Sequence, residues 1–287
     1  MKEQSRPKMS FISFRGVNNW TNIDKNIILA TVIRISALKA LVFGTDFMTI
    51  KKEFIVIALG GSIIVPELSN EGGIDVPYLR RFRRFIFNET KKGRRFVIVA
   101  GGGKTSRVYQ KSASRIIRVS SEELDWIGIH SSRLNAHLLR TVFKKTAHPV
   151  VIDHGLSREE ADSLSATRNS VFIASGWSPG WSTDYIAARL THIFGASKTI
   201  VAGDTPFIYE EDPKKNSNAK ELTNLDWKSY CQMIPKKWSP GLSLPIDPVA
   251  AKFGKKEGLV MNILDGRDLR NLGRSIEGKE FRGTIVS

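Results

Sequence analysis

Cysteine is almost absent. Cys231 is the only one in 287 residues, so no disulfide can form within the chain, and a reducing compartment, the cytoplasm, is the expected setting. Histidine is scarce too: the five present form no HExxH or Cys/His spacing, which argues against the common zinc frameworks, and no metal site built by the protein alone is expected. A clean apolar run of about 20 residues, the length of a membrane span, is also missing. The apolar stretch Asn26 to Phe43 is interrupted by Arg34 and Lys39, so no membrane partner is expected. Acidic residues are few at the start, where residues 1–47 hold only Glu3, Asp24 and Asp46 and lack glycine-rich loops. Residues 1–47 therefore read as a poorly ordered extension, with the folded part beginning at Met48.

What is present is a chain with 41% hydrophobic residues and a net charge of +16, long enough to bury a substantial core. The charge would draw nucleotides or polyanions through its field but does not bear on fold. Its densest run is LRRFRRFI, Leu79 to Ile86, which reads as an amphipathic helix with a solvated basic face. A nucleic-acid-binding role would rest on charge alone, and no nucleic-acid partner is expected.

From Met48 onward, short β-rich runs recur: FIVIAL, RFVIVA, PVVID, SVFIAS, KTIVAG and GLVMNI. The gaps between several of them carry helical periodicity. Near-continuous apolar strands alternating with helices predict an α/β protein with a mostly parallel sheet covered on both faces. The best-marked helices span Asp125 to Lys145, with Ile127, Leu134, Leu138, Leu139 and Val142 available for burial, and Asp184 to Phe194.

Ligands of open α/β sheets bind beyond the carboxyl ends of the strands, where helix N-termini present unpaired N–H groups. Four stretches fall there: LGGS (Leu59 to Ser62), GGGK (Gly101 to Lys104), SGWSPGWSTD (Ser175 to Asp184) and GDTPFIYEEDP (Gly203 to Pro213). Two familiar phosphate motifs are excluded. A Walker A loop ending at Lys104 and Thr105 requires glycine where Ile98 stands, and a dinucleotide fingerprint starting at Gly101 requires glycine where Ser106 stands. Ser182 and Thr183 suit a helix cap and Asp184 a first helical turn. Capping leaves unexplained the preceding GWSPGW, whose composition suits a shaped pocket wall.

Taken in order, IALGGSIIVPE, VIVAGGGKTSR, LDWIGIHSSRLNAHLL, PGWSTDYIAA, IYEEDPKKNSNAK, IDPVAAK and GKEFRGTIV resemble the amino acid kinase family, and within it the archaeal-type uridylate (UMP) kinases. The resemblance implies an αβα sandwich around a central, mainly parallel sheet. It places a phosphoryl-acceptor (UMP) lobe at 48–195 and an ATP-binding lobe at 196–287. It assigns to UMP Gly102, Asp125 on the ribose, and the loop Trp177, Ser178, Pro179, Gly180, Trp181, Ser182 and Thr183. To ATP it assigns Gly60, Gly61, Ser62, Gly103, Arg107, Gly203, Asp204, Tyr209 and Asp212. Asp184 matches the acid that organises the catalytic groups. Two departures stand out: Ala58 occupies the position of a lysine found in many bacterial relatives, which leaves Lys104 and Lys252 as candidate catalytic lysines, and Asp204 and Pro206 replace asparagine and aspartate.

The resemblance further implies ATP with Mg²⁺ carried on the nucleotide, small-molecule nucleotide partners, and a homo-oligomer, a hexamer. ATP:UMP phosphotransfer in pyrimidine nucleotide biosynthesis is the leading expectation. A kinase of another small acid or phosphate, and a non-catalytic ATP- or oxoanion-binding member resembling the molybdenum storage proteins, remain alternatives.

Overall fold

A computed structural model of the protein describes residues 53–68, 73–213, 215–216, 218–237 and 244–287. The expectation for residues 1–47 lies outside the described residues. The first strand, β1 (Phe54–Leu59), is buried along its whole length, as is β2 (Arg95–Ala100). Between them lie the single turn α1 (Gly61–Ile64) and α2 (Val76–Lys91). The chain continues through α3 (Gly103–Ile116), α4 (Ser121–Phe143), α5 (Arg158–Ala166), β3 (Val171–Ala174), α6 (Thr183–Phe194) and β4 (Thr199–Gly203). A short hairpin, β5 (Ile208–Tyr209) with β6 (Glu221–Leu222), precedes β7 (Asn224–Leu225), α7 (Trp227–Met233), α8 (Pro248–Glu257), β8 (Met261–Asp265), α9 (Leu269–Ile276) and β9 (Thr284–Val286).

Seven strands form one sheet in the order β3-β2-β1-β4-β8-β9-β7. Every pairing in it is parallel except β8 with β9. Because side chains alternate across a strand, β1 divides its apolar residues between the two faces. Ile55, Ile57 and Leu59 pack with Tyr78, Phe82 and Ile86 of α2, Leu139 and Phe143 of α4, and Leu272 of α9. Phe54, Val56 and Ala58 pack with Ile186, Ala187 and Leu190 of α6. A third cluster joins Val201 and Ile263 to Trp227 and Tyr230 of α7 and to Ala250 and Ala251 of α8. These layers form the αβα arrangement expected from the alternation of strands and helices.

Local differences have local causes. The run PVVID makes only one isolated bridge, Ile152 to Ala174, with a second at Ala147 just before it. It lies beyond β3 at the sheet's edge, and Pro149 cannot donate to a ladder. Helix α4 starts at Ser121 rather than Asp125, because Ser120 caps it through Glu123 N–H and the Glu123 carboxylate returns a bond to Ser120 N–H. It ends at Phe143, where Lys144 turns to φ +48°. Its buried face runs through Ile129, Ser132, Ala136, Leu139 and Phe143, whereas Leu134 is 66% exposed. On α2, Phe82 is buried and Arg80, Arg81 and Arg84 face water, while Arg83 donates to the Val142 carbonyl at 2.8 Å.

Candidate active site

Successive strands leave β1 first toward β2 and β3 and later toward β4, so the strand order reverses at the carboxyl end of β1. Open sheets bind ligands at such a reversal. A cavity of about 310 Å³ opens there, bounded by the loops after β1, β2 and β4 and by the N-termini of α3 and α6.

The two glycine loops meet backbone to backbone. A Cβ on Gly61 would fall 2.0 Å from the Gly103 nitrogen, and Gly103 itself adopts φ +68° with its would-be Cβ 2.4 Å from the Gly61 carbonyl oxygen. Neither position admits a side chain. The glycines thus serve the contact between loops as well as the approach of a ligand. Asn135, buried on α4, donates from Nδ2 to the Gly101 carbonyl at 2.7 Å and the Gly102 carbonyl at 3.3 Å. That fixes the peptides entering α3, whose first N–H groups have no intrahelical partner. Lys104 N–H is taken by the Val65 carbonyl. Arg107, one turn into α3, projects at the cavity rim.

The tryptophan-rich loop is tied down from several sides. Gly176 N–H donates to Ser132 Oγ at 2.8 Å, and Arg133 reaches the Gly176 and Asp153 carbonyls. Gly180 N–H donates to Asp125 Oδ2 at 2.7 Å. Trp177 is buried in the core, its Nε1 donating to the Ile152 carbonyl, while Trp181 lines the cavity with its ring against Tyr185 and the Arg189 guanidinium.

Ser182 then caps α6, accepting from Tyr185 N–H at 3.0 Å, and its hydroxyl donates to Asp247 Oδ2. Asp247 is itself the cap of α8, with Oδ1 accepting from Val249 and Ala250 N–H. Asp184 follows in the first turn of α6 and lines the cavity. Desolvation, reinforced by the charge of Asp247, pushes its carboxyl well above the ordinary range. Burial also raises Asp247, against the lowering pull of the Ser182 hydroxyl and the α8 N–H groups.

Of the residues singled out in the sequence, the cavity brings together Gly60, Gly61, Ser62, Gly102, Gly103, Arg107, Asp125, Ser178, Trp181, Ser182, Thr183, Asp184, Gly203 and Asp204. Trp177, Pro179, Gly180, Tyr209, Asp212, Lys104 and Lys252 are not among its lining residues. Lys252 Nζ lies 3.3 Å from the Lys236 carbonyl oxygen on the surface. Ala58 does line the cavity. Sequence reasoning missed Ser106, Gln110, Ser132, Thr205, Pro245 and Asp247, all lining, and Asn135 behind them. Only Asp247 left a local signal, an aspartate before proline at a helix start.

Glycine loops, two capped helix N-termini and a desolvated carboxylate at the switch point of a parallel sheet define an α/β protein built to receive phosphate groups. Comparison with known sequences narrows the class: the chain belongs to the amino acid kinase family, whose description matches residues 53–265. It is similar to the uridylate kinase of Methanocorpusculum labreanum, 35% identical over 81% of this chain and 94% of that protein. It is also similar to the uridylate kinase of Pyrococcus abyssi, 31% identical over 81% of this chain and 98% of that protein. Among solved structures, uridylate kinase from Archaeoglobus fulgidus superposes with a TM-score of 0.66 at 29% identity, covering 81% of this chain and 99% of that one.

Proposed function

We propose that the protein transfers the γ-phosphoryl group of ATP to UMP, forming UDP. The observation that carries this reading is that one cavity holds Arg107, suited to a phosphate, Asp125, suited to a ribose diol, and the desolvated Asp184 beside the helix N-termini. The similar uridylate kinases favour UMP as acceptor. Phosphoryl transfer needs no covalent intermediate, so the protein's task is to align two anionic groups and offset their charge. Arg107 and the unpaired N–H groups in the first turns of α1 and α3 would do so here, and Asp125 and Trp181 would orient the acceptor. Residues 48–195 would hold UMP and 196–287 ATP, with Gly203 and Asp204 at the rim.

The donor chemistry fits Mg²⁺ carried on the nucleotide. Among the described residues no group of three or more His, Cys, Asp or Glu is placed to hold a metal, whereas Asp184 and Asp204 both line the cavity. Mg²⁺ is typically bound by one or two carboxylates together with substrate phosphates. These two would hold it, and it would supply the positive charge that Ala58 cannot. Lys104, in the first turn of α3, is the stronger candidate for a lysine that swings in with substrate; Lys252 is tethered outside.

Among the described residues no helix is long and apolar enough to cross a membrane. The lone cysteine supports a cytoplasmic setting. Exposed Tyr109 and Ile116 on α3, with Trp126 and Leu134 on α4, support a homo-oligomer, a hexamer on the family resemblance.

Incubating the purified protein with Mg-ATP and a panel of nucleoside monophosphates, with products resolved by chromatography, tests the reading. UMP is expected to turn over fastest. Ala58 in the cavity wall favours one rival, a member that binds ATP without transferring it. ATP binding by calorimetry with no turnover of any monophosphate would establish that rival instead.

A further inference from the structure

We propose that Asp247 is a positioning residue for phosphoryl transfer: through Ser182 it fixes the first turn of α6, and with it Asp184, against the start of α8. The inference rests on the phosphotransferase reading above.

Asp247 is 3% exposed yet borders the cavity. Capping α8 occupies only Oδ1, which accepts from Val249 N–H at 2.7 Å and Ala250 N–H at 3.2 Å. An asparagine or serine would do that equally well. The second oxygen does something a cap does not require: it accepts the hydroxyl hydrogen of Ser182, 65 positions earlier in the chain. Among the described residues no lysine or arginine forms an ion pair with this carboxylate, so its burial is not explained by a salt bridge.

The link is well placed to matter. Ser182 Oγ accepts from Tyr185 N–H, which starts α6, and Asp184 is the second residue of that helix. Two residues on the other side, Gly180 N–H is held by Asp125. The segment from Gly180 to Asp184 is therefore held by two carboxylates that both line the cavity. Releasing the Asp247 end would let the first turn of α6 shift while Asp125 still holds Gly180 and the two glycine loops keep their contact. Transfer between two aligned phosphates is sensitive to displacements of about 1 Å.

The test is steady-state kinetics for ATP and UMP, with thermal midpoints, on the full chain and four variants: Asp247→Asn, Ser182→Ala, Ser182→Thr and the double variant Ser182→Ala/Asp247→Asn. Asp247→Asn keeps an acceptor for the α8 N–H groups but turns an amide donor toward Ser182 Oγ, so the serine hydroxyl hydrogen loses its acceptor. It is expected to lower kcat about tenfold or more with both KM values changed less than about threefold, the pattern of a group acting in the transition state. Ser182→Ala should do the same, the double variant should be no worse than the weaker single, and Ser182→Thr should retain kcat within about threefold. Ser182→Ala leaves the α8 cap whole but also removes the α6 cap, so should Asp247→Asn fail to fold, Asp247→Ser, which keeps a cap acceptor for α8 and has no second oxygen for Ser182, takes its place. An undiminished kcat in folded Asp247→Asn, independent multiplying losses in the double variant, or losses that merely follow the thermal midpoint would each overturn the proposal. Wild-type protein that phosphorylates no monophosphate would overturn the phosphotransferase reading, and this one with it; wild-type turnover beside an unimpaired Asp247→Asn overturns this one alone.

Discussion

Asp184 shows how one side chain sets function against stability. Its folded carboxyl is raised, first by desolvation and then by Asp247, from an ordinary value of 3.8. The folded state therefore holds this proton over a range of pH in which the unfolded chain has released it. Its contribution to stability is complete below the unfolded value and is lost as pH rises through the folded one. Wherever the unfolded chain has released this proton, neutral pH included, the buried carboxyl opposes folding. Asp184→Asn should thus raise the thermal midpoint of the nucleotide-free protein at pH 7, at roughly 2–4 °C per kcal/mol gained, with the gain shrinking toward pH 4. The same variant should lose about a hundredfold or more in kcat if the charge serves the transferring group. A midpoint that falls at pH 7, measured by calorimetry across pH, would contradict the desolvation account. Residues of this kind were legible in the sequence where their chemistry is local: Gly61 and Gly103 by glycine loops after strands, Ser182 and Asp184 by the grammar of a helix start. Asn135 was not, because only the folded chain brings its partner Gly101 near, and of Asp247 only the helix cap was legible, not the bond to Ser182. Trp177 misled for the converse reason, since the loop composition that suits a pocket wall also places one indole in the core.

At the scale of elements, the apolar periodicity predicted α6 to within a residue and α4 to within four at its start, but assigned Leu134 to the wrong side. Periodicity marks which residues share a stripe and not what covers it. Leu134 at 66% exposure and Ile116 at 83% lie on helices that pack against each other, with Tyr109 and Trp126 also exposed. That much uncovered apolar surface on adjoining helices suits contact between copies of the chain. The double variant Ile116→Lys/Leu134→Lys should shift the protein from a multiple of the chain mass toward the single chain in sedimentation or light scattering, with ATP binding retained. A wild-type protein that already runs as one chain at micromolar concentration would refute the contact.

For the whole molecule, the sheet class followed from near-continuous apolar strands alternating with helical segments, whereas the antiparallel β9 and the reversal at β1 depend on pairings between distant segments. The net charge of +16 acts at this scale as well. Both substrates are polyanions, so the field should raise their local concentration and should weaken as salt shortens the screening length from about 10 Å at 0.1 M to 3 Å at 1 M. Values of kcat/KM for UMP are expected to fall several-fold across that range of KCl while kcat changes little. A flat profile would mean that the basic surface, including Arg80, Arg81 and Arg84, faces away from the approach path. The contact of Gly61 with Gly103 has a different consequence. Two chain segments touching through bare backbone leave no side chain between them to bend, so the spacing of the loops after β1 and β2 works as a ruler cut to van der Waals radii. Any drift toward a longer or bulkier acceptor would have to be accommodated in the loop from Gly176 to Ser182, the part of the wall whose dimensions substitution can still change.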